Sequence, residues 1–327
     1  MKNVRRGKLR RLSVAPMMDR TDRHHRVMIR LMTKETLLYT EMVNTGAILH
    51  GDPDRHLRHS EMELPLALQL GGDNPNDLAK CASIAQERGF TEVNLNVGCP
   101  SDRVKKGCFG ASMMTRPDDV AACVAKMRSA CDLPVTVKHR TGVDDQDSWE
   151  LLTKFVETVL SAGCDRLSVH ARKAWLTGLS PKENRNIPPL QYDWVYRLKS
   201  EYPEVHFEIN GGIKSLGEAK SHLAKVDAVM IGRAAWDNPW LFSNADQEIF
   251  GVERPPIQRD QVVKQMAEHA ERELSANNIR HLGPIARPLM NLYLGIPGSK
   301  VWKQVLSTEA FRSGATPELF LGAMPKP

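Results

Sequence analysis

The run PNDLAKCASIAQERGFTEVNLNVGCP, residues 75–100, decides the fold. It reads as an amphipathic helix over Pro75–Arg88, a glycine at 89 where a C-cap belongs, and a short strand over Glu92–Val97. It ends in Gly98, Cys99 and Pro100, where regular structure stops. The same unit recurs in both directions. Helices are predicted over Pro117–Ala130, Trp149–Ala162 (with Gly163 as its C-cap) and Leu216–Ala224. Strands are predicted at Leu12–Pro16, Leu37–Met42, Leu66–Leu70, Glu92–Val97, Val135–Lys138, Arg166–His170, Val205–Asn210 and Ala228–Ile231. Alternating strands and helices imply a parallel sheet with crossover helices, and eight strands is the number that closes a (β/α)8 TIM barrel. A doubly wound open sheet also alternates, but no G-x-G-x-x-G follows any strand.

After Phe250 the alternation stops, and Pro255-Pro256 leads into helical spacing at Gln261–Ala276 and Ile285–Leu294. The expected organisation is a basic N-terminal arm over 1–11, the barrel over 12–250, and a small C-terminal helical domain over 257–327. A chain of 327 residues, 41% hydrophobic, is long enough for one barrel of about 250 residues plus such an appendage.

No run of 18 uncharged apolar residues is present and the N-terminus lacks a signal-peptide pattern, so a cytoplasmic protein with no membrane partner is expected. Six cysteines without a C-x-x-C pair read as thiols rather than a disulfide framework or a zinc cage. The net charge of +6 is accounted for by Lys2, Arg5, Arg6, Lys8, Arg10 and Arg11, leaving residues 12–327 balanced. That arm is read two ways, as a solvated tail or as a phosphate-binding segment. Asp144, Asp145 and Asp147 read as a solvated loop with a helix cap at Asp147, and no metal is expected.

Barrel active sites sit at the C-terminal ends of the strands. Those ends carry Pro16, Met17 and Met18, then Gln69, Asn94 and Asn96, then Lys138, His139 and Arg140, and then His170 and Arg172. Asn210-Gly211-Gly212 and Gly232-Arg233 follow the last two strands, where glycines and a helix N-terminus make a phosphate cup. Lys138 at the end of a buried strand calls for a negative partner, such as a reduced isoalloxazine ring, whose pyrimidine edge Gln69 can meet. His170 is placed for the ribityl–phosphate region. Cys99, between Gly98 and Pro100, is directed to the barrel mouth, whereas Cys81, Cys123, Cys131 and Cys164 read as small buried residues.

Together Ala15-Pro16-Met17, Asn94-x-Asn96-x-Gly98-Cys99-Pro100-Ser101, Lys138-x-Arg140-x-Gly142, Val169-His170-Ala171-Arg172 and Asn210-Gly211-Gly212-Ile213 resemble the tRNA-dihydrouridine synthases over residues 12–310. Leu38–Val43, Arg172–Leu176 and Leu179–Arg185 resemble the A-type branch. The resemblance implies bound FMN, held by Pro16, Met17, Met18, Gln69, Lys138, His170, Asn210, Gly211, Gly212, Gly232 and Arg233. It places the general acid at Cys99, implies transient NADPH as reductant, and implies uridines 20 and 20a of tRNA as substrate. A thiol in that role must be protonated, and no strong cationic partner is expected beside it. Asn96 is expected to hydrogen-bond the target base, with Lys182, Arg185, Lys300 and Lys303 on the tRNA body. Cys108 stands where relatives carry another residue and is a rival thiol. A monomer without an obligate protein partner is expected. Two other functions fit parts of the pattern, a flavin barrel acting on a free pyrimidine and a tRNA chaperone without turnover. The helical appendage and the loop cations favour a large anionic substrate over the first, and a flavin spectrum separates the second.

Overall fold

The computed structural model describes residues 9–101, 109–255 and 257–326; Cys108 and the arm residues before Leu9 lie outside them. Nine parallel strands form one sheet: β1 (Leu12–Val14), β2 (Leu38–Tyr39), β3 (Val43–Asn44), β4 (Leu66–Gly71), β5 (Glu92–Val97), β6 (Val135–Arg140), β7 (Arg166–His170), β8 (Phe207–Asn210) and β9 (Ala228–Ile231). Hydrogen-bonded neighbours run β1-β9-β8-β7-β6-β5-β4-β2, with β3 on β4. Val14 N–H donates to the Leu37 carbonyl and Leu37 N–H to that of Leu12, which closes the cylinder between β1 and β2. The predicted barrel is therefore present.

The helices are α1 (Arg23–Met32), α2 (Thr45–Leu49), α3 (Pro53–Leu57), α4 (Pro75–Glu87), α5 (Pro117–Ala130), α6 (Trp149–Ser161), α7 (Tyr192–Glu201), α8 (Leu216–Leu223), α9 (Arg233–Asp237) and α10 (Ala245–Phe250). After them come α11 (Arg259–Ser275), α12 (Gly283–Leu289), α13 (Ser299–Thr308) and α14 (Glu318–Gly322). None is long and apolar enough to cross a membrane. Gly89 and Gly163 adopt left-handed φ of 80° and 91°, as their predicted cap positions require.

Several boundaries differ from the sequence reading. The second strand is not one run over Leu37–Met42. Only Leu38–Tyr39 of it is strand: Thr40 stays attached to β4 through the Gln69 amide, Glu41 turns its carboxylate to the Arg20 amide, and β3 begins at Val43, beyond the predicted end. The helix predicted to Leu294 ends at Leu289, whose carbonyl accepts both from Trp302 Nε1 and from the Leu292 amide, each at 3.0 Å, a tightened turn in place of a continued helix. The cap of α6 is Ser148, not Asp147; Ser148 accepts from Leu151 N–H, and Asp147 pairs with Lys173 at 2.8 Å.

Strand alternation sorts side chains between two cores. Outward residues such as Leu68, Leu95, Val137, Val169 and Ile209 pack against the helices. Inside the barrel, Ala15, Leu37, Tyr39, Ala67 and Met230 form a separate apolar cluster on one side. The other side, lined by β5–β8, is polar: Glu92, Asn94 and Asn96, then Thr136, then Arg166 and Ser168, then Glu208 and Asn210 are all buried. Arg166 lies 2.5 Å from Glu92 and 3.6 Å from Glu208, and also meets the Tyr39 hydroxyl. Burial opposes its charge, but Glu92, Tyr39 and Glu208 outweigh burial and hold the guanidinium pKa above its ordinary value.

The helical segment is fastened to the barrel through α1. His24 Nδ1 meets His269 Nε2 on α11 at 2.9 Å, and Arg23 pairs with Glu273 beside them. Burial pushes His24 down to about 3, with His269 and neighbouring arginines adding to it, and burial pushes His269 down to about 4. The folded protein therefore binds fewer protons than the unfolded chain between about pH 6.5 and 4. Stability is complete above that window and falls as pH drops through it, by up to about 1.4 kcal/mol per pH unit for each histidine. Replacing both residues (His24→Gln with His269→Gln) should flatten the pH dependence of the urea midpoint between pH 6.5 and 4.5, and an unchanged slope would remove the pair from the acid response.

Candidate active site

At the mouth, the strand ends are joined by one hydrogen-bonded series of amides and hydroxyls. Asn96 Nδ2 donates to Gln69 Oε1, Gln69 Nε2 to Asn94 Oδ1, and Asn94 Nδ2 to Thr136 Oγ1, each at 2.8 Å. Thr136 Oγ1 in turn donates to Glu92 Oε1 at 2.7 Å, so the series runs from the mouth to the Arg166 layer. It leaves Gln69 and Asn96 one amide hydrogen each for a ligand. Lys138 Nζ donates to Asn210 Oδ1 at 3.2 Å, and Asn210 Nδ2 to the Met230 carbonyl at 2.8 Å.

Asn96 also builds the cysteine loop. Its Oδ1 accepts from the Gly98 and Cys99 amides at 3.1 and 3.0 Å, a side chain standing in for the next turn of backbone. Arg140 Nε donates to the Gly98 carbonyl, and Ala111 N–H donates to that of Cys99, both at 2.9 Å. Arg140 Nη1 continues to the carbonyls of Lys173 and Asn184, tying this loop to the one that carries Lys182 and Arg185. The thiol itself lies 3.5 Å from Ser101 Oγ. The loop sequence beside Cys99 offered no strong cationic partner, but Lys138 and Arg140 from β6 and Arg185 from the loop after β7 lie within electrostatic reach of it.

The glycines after β8 curl tightly, with φ of 124° at Gly211 and 73° at Gly212. A Cβ on Gly211 would stand 3.0 Å from the His170 ring, and one on Gly212 would stand 2.9 Å from Leu190 and 3.0 Å from Tyr192 Oη. Tyr192 Oη donates to the Gly211 carbonyl, which fixes the turn of that peptide. Burial pushes the His170 pKa well below its ordinary value, and Arg140, Lys138, Arg172 and Arg233 each push it the same way. A neutral ring with four cations converging on it marks a region of positive potential, suited to an anion. Gly232 opens α9, which no side chain caps. Arg233 reaches across the mouth to Asn186 Oδ1 at 2.7 Å and to the Arg185 carbonyl.

On the rim, Met18 is 51% exposed, and Met17 N–H is held by Thr21 Oγ1 at 3.0 Å beside Pro16. Lys182 and Arg185 are exposed on a turn anchored by buried Asn184, whose amide bonds the backbone of Trp175 in both directions. Lys300 is exposed and Lys303 half-buried on α13. The helical segment meets the same rim, since Arg287 donates to the Asp19 carbonyl at 2.9 Å and Asn291 to that of Trp236 at 3.0 Å. Arg20, Arg140 and Arg172 belong to this mouth; the sequence reading did not mention Arg20 and placed Arg140 and Arg172 at strand ends without giving them a role. For Arg140 and Arg172 the signal was present, because both sit two residues beyond Lys138 and His170 respectively, at the same strand ends. Among the described residues no group of three His, Cys, Asp or Glu side chains could hold a metal ion.

A family model described as dihydrouridine synthase (Dus) matches residues 13–321. A Vibrio cholerae protein named tRNA-dihydrouridine(20/20a) synthase is 54% identical over 317 residues, covering 97% of this chain and 96% of that one. Proteins of the same name from Escherichia coli K12 and Synechocystis are 54% and 52% identical, covering 93% and 96% of this chain and 88% and 93% of their own lengths. Among solved structures, morphinone reductase superposes with a TM-score of 0.51 at 14% identity, covering 74% of this chain and 86% of that one, a likeness of fold alone.

The double use of Asn96 yields a direct test of the cysteine loop. Asn96→Ala leaves two amides and the Gln69 carbonyl without partners and should cost about 1–3 kcal/mol, read from urea unfolding. Amide exchange at Gly98 and Cys99 should accelerate with it, and Asn96→Asp, which keeps the acceptor, should restore slow exchange.

Proposed function

The chain belongs to the dihydrouridine synthase family, and from that premise we propose that it reduces uridines 20 and 20a of tRNA to dihydrouridine, with FMN bound at the barrel mouth and NADPH as the passing reductant. The observation that carries the reading is the convergence of Lys138, Arg140, Arg172 and Arg233 on His170 beside the Gly211-Gly212 turn. A phosphomonoester needs such a cradle, with close backbone approach and excess positive charge. The residues present therefore fit FMN: Gly211, Gly212, Gly232, Arg233 and His170 for the phosphate, and Gln69, Lys138 and Asn210 for the ring, with Pro16, Met17 and Met18 along its edge.

When bound, the flavin supplies a hydride to C6 of the uracil, having received one from the nicotinamide. The protein's part is to hold the base and to place a proton on C5. Asn96 and Gln69 each have one amide hydrogen left to orient a carbonyl of the base. Cys99 donates its thiol proton to C5, and the sulfur that remains faces Lys138, Arg140 and Arg185. The base must leave its stack to reach this depth, at a cost of a few kcal/mol that is least in a loop such as the D loop.

The RNA body lies against Lys182 and Arg185 on one side of the mouth and the helical segment, with Lys300 and Lys303, on the other. The protein works as a cytoplasmic monomer in this reading.

Purified protein should be yellow or become so with FMN, and tRNA from a deletion strain should lack dihydrouridine at positions 20 and 20a by nucleoside analysis. A preparation that binds no flavin under any condition would sink the proposal. Cys99→Ala should leave flavin reduction by NADPH near its normal rate but slow reoxidation by tRNA by about 10²–10⁴-fold, the usual loss for a positioned general acid. Cys108→Ala should leave both halves intact, and the opposite pattern would reassign the acid. Separately, Lys300→Ala with Lys303→Ala should weaken tRNA binding and lower its log–log salt slope by up to about 2, with flavin reduction unchanged.

A further inference from the structure

We propose that Glu208, buried below the mouth, is a positioning residue for this reaction: its carboxylate is the fixed counter-charge of Lys138. The inference rests on the flavin reading only for its consequence, since the ion relationship belongs to the protein alone.

The geometry sets the pair in one register row. Lys138 on β6 is paired with Ser168 on β7, and Ser168 with Glu208 on β8, all three pointing into the barrel. Glu208 is held on both oxygens, by Ser13 Oγ at 2.6 Å and by Ser168 Oγ. The next inward residue along β8 is Asn210, the side chain to which Lys138 Nζ donates. Glu208 thus lies under the amide that carries the ammonium.

Charge balance across the polar side leads to the same assignment. Below the mouth, strands β5–β8 point two carboxylates, Glu92 and Glu208, and one cation, Arg166, into the interior, and Lys138 stands above them at the strand ends. Glu92 is committed to Arg166 at 2.5 Å, and it also takes the hydroxyls of Tyr39 and Thr136. Arg166 Nε stands 3.6 Å from Glu208 and makes no hydrogen bond to it. Glu208 therefore retains charge to share with the cation above.

The groups facing Lys138 are Arg140 on its own strand, Cys99 beyond β5, His170 on β7 and Glu208 on β8; those facing Glu208 also include Arg166, His206 and Tyr39. Burial, followed by Arg140, pushes Lys138 down to about 8, with Glu208 and then Cys99 acting against them. Loss of the Glu208 charge would push the amine further toward its neutral form, and a neutral amine cannot meet negative charge on a reduced ring.

The test titrates Lys138 in flavin-free protein by the NMR shifts of carbon-13-labelled lysine side chains, with Lys138→Met identifying the signal. Glu208→Gln should lower its midpoint by about 1–3 on the pH scale, the usual effect of removing a near opposite charge. Glu208→Asp, which keeps the charge but withdraws it by one methylene, should lower the midpoint less, and it serves where the Gln variant does not fold. Midpoints equal to wild type in either folded variant overturn the proposal. In FMN-loaded protein, Glu208→Gln should lower the flavin reduction potential, and should do nothing further in a Lys138→Met background. An equal drop in both backgrounds would show that Glu208 acts by another route. Failure to bind flavin would count against the proposed function, whereas the NMR titration decides the Glu208–Lys138 relationship whether or not flavin binds.

Discussion

Arg166 is the constraint on which the rest of the barrel depends. A guanidinium with no exposed surface is tolerated only where opposite charge and hydrogen bonds replace water. Here Glu208 approaches from the neighbouring strand β8 and Glu92 from β5, beyond β6, and Tyr39 closes from across the barrel. Removing one partner of such a group typically costs about 3–5 kcal/mol, so these four positions are bound to one another more tightly than their local propensities would suggest. Because Thr136 continues from Glu92 to Asn94 and on to Gln69 and Asn96, the same buried charge sets the orientation of the amides at the mouth.

Chemistry in this barrel is therefore placed from below. Cys99 owes its position to Asn96, whose carbonyl oxygen caps the loop while its amide nitrogen joins the series beneath. Arg140 adds a lateral restraint, linking that loop to the segment that carries Lys182 and Arg185. The thiol and the turn that carries Lys182 and Arg185 are thus parts of one hydrogen-bonded rim.

Most strand ends were legible in the sequence because each strand carries its own local signal: an apolar run, then a polar pair or a glycine. The family motifs made Cys99, Lys138, His170 and the Gly211-Gly212 turn visible in the same way. What stayed hidden depends on partners far apart in the chain. Nothing near Thr40 shows that Glu41 will leave the ladder for the Arg20 amide, nor near Leu289 that Trp302 will take its carbonyl. The cations around Cys99 arrive from β6 and from the loop after β7, so inspection of the thiol's own neighbours predicted too little charge. Arg10 and Arg11, read as part of a basic arm, are in fact spent on Glu35 and the Ile249 carbonyl.

Four arginines of the mouth share one further habit: they are moored to main-chain oxygens. Arg140 bonds the carbonyls of Gly98, Lys173 and Asn184, Arg172 those of Asn186 and Pro188, Arg233 that of Arg185, and Arg287 that of Asp19. A carbonyl is supplied by every residue type, so these bonds do not depend on which side chains the loops carry, although Arg233 also uses the Asn186 side chain. The loops around the mouth can accordingly drift in sequence over evolutionary time while the field they surround stays in place. A designer could exploit that freedom, recoding the outward side chains of residues 173–190 without disturbing the arginines that those main-chain oxygens hold.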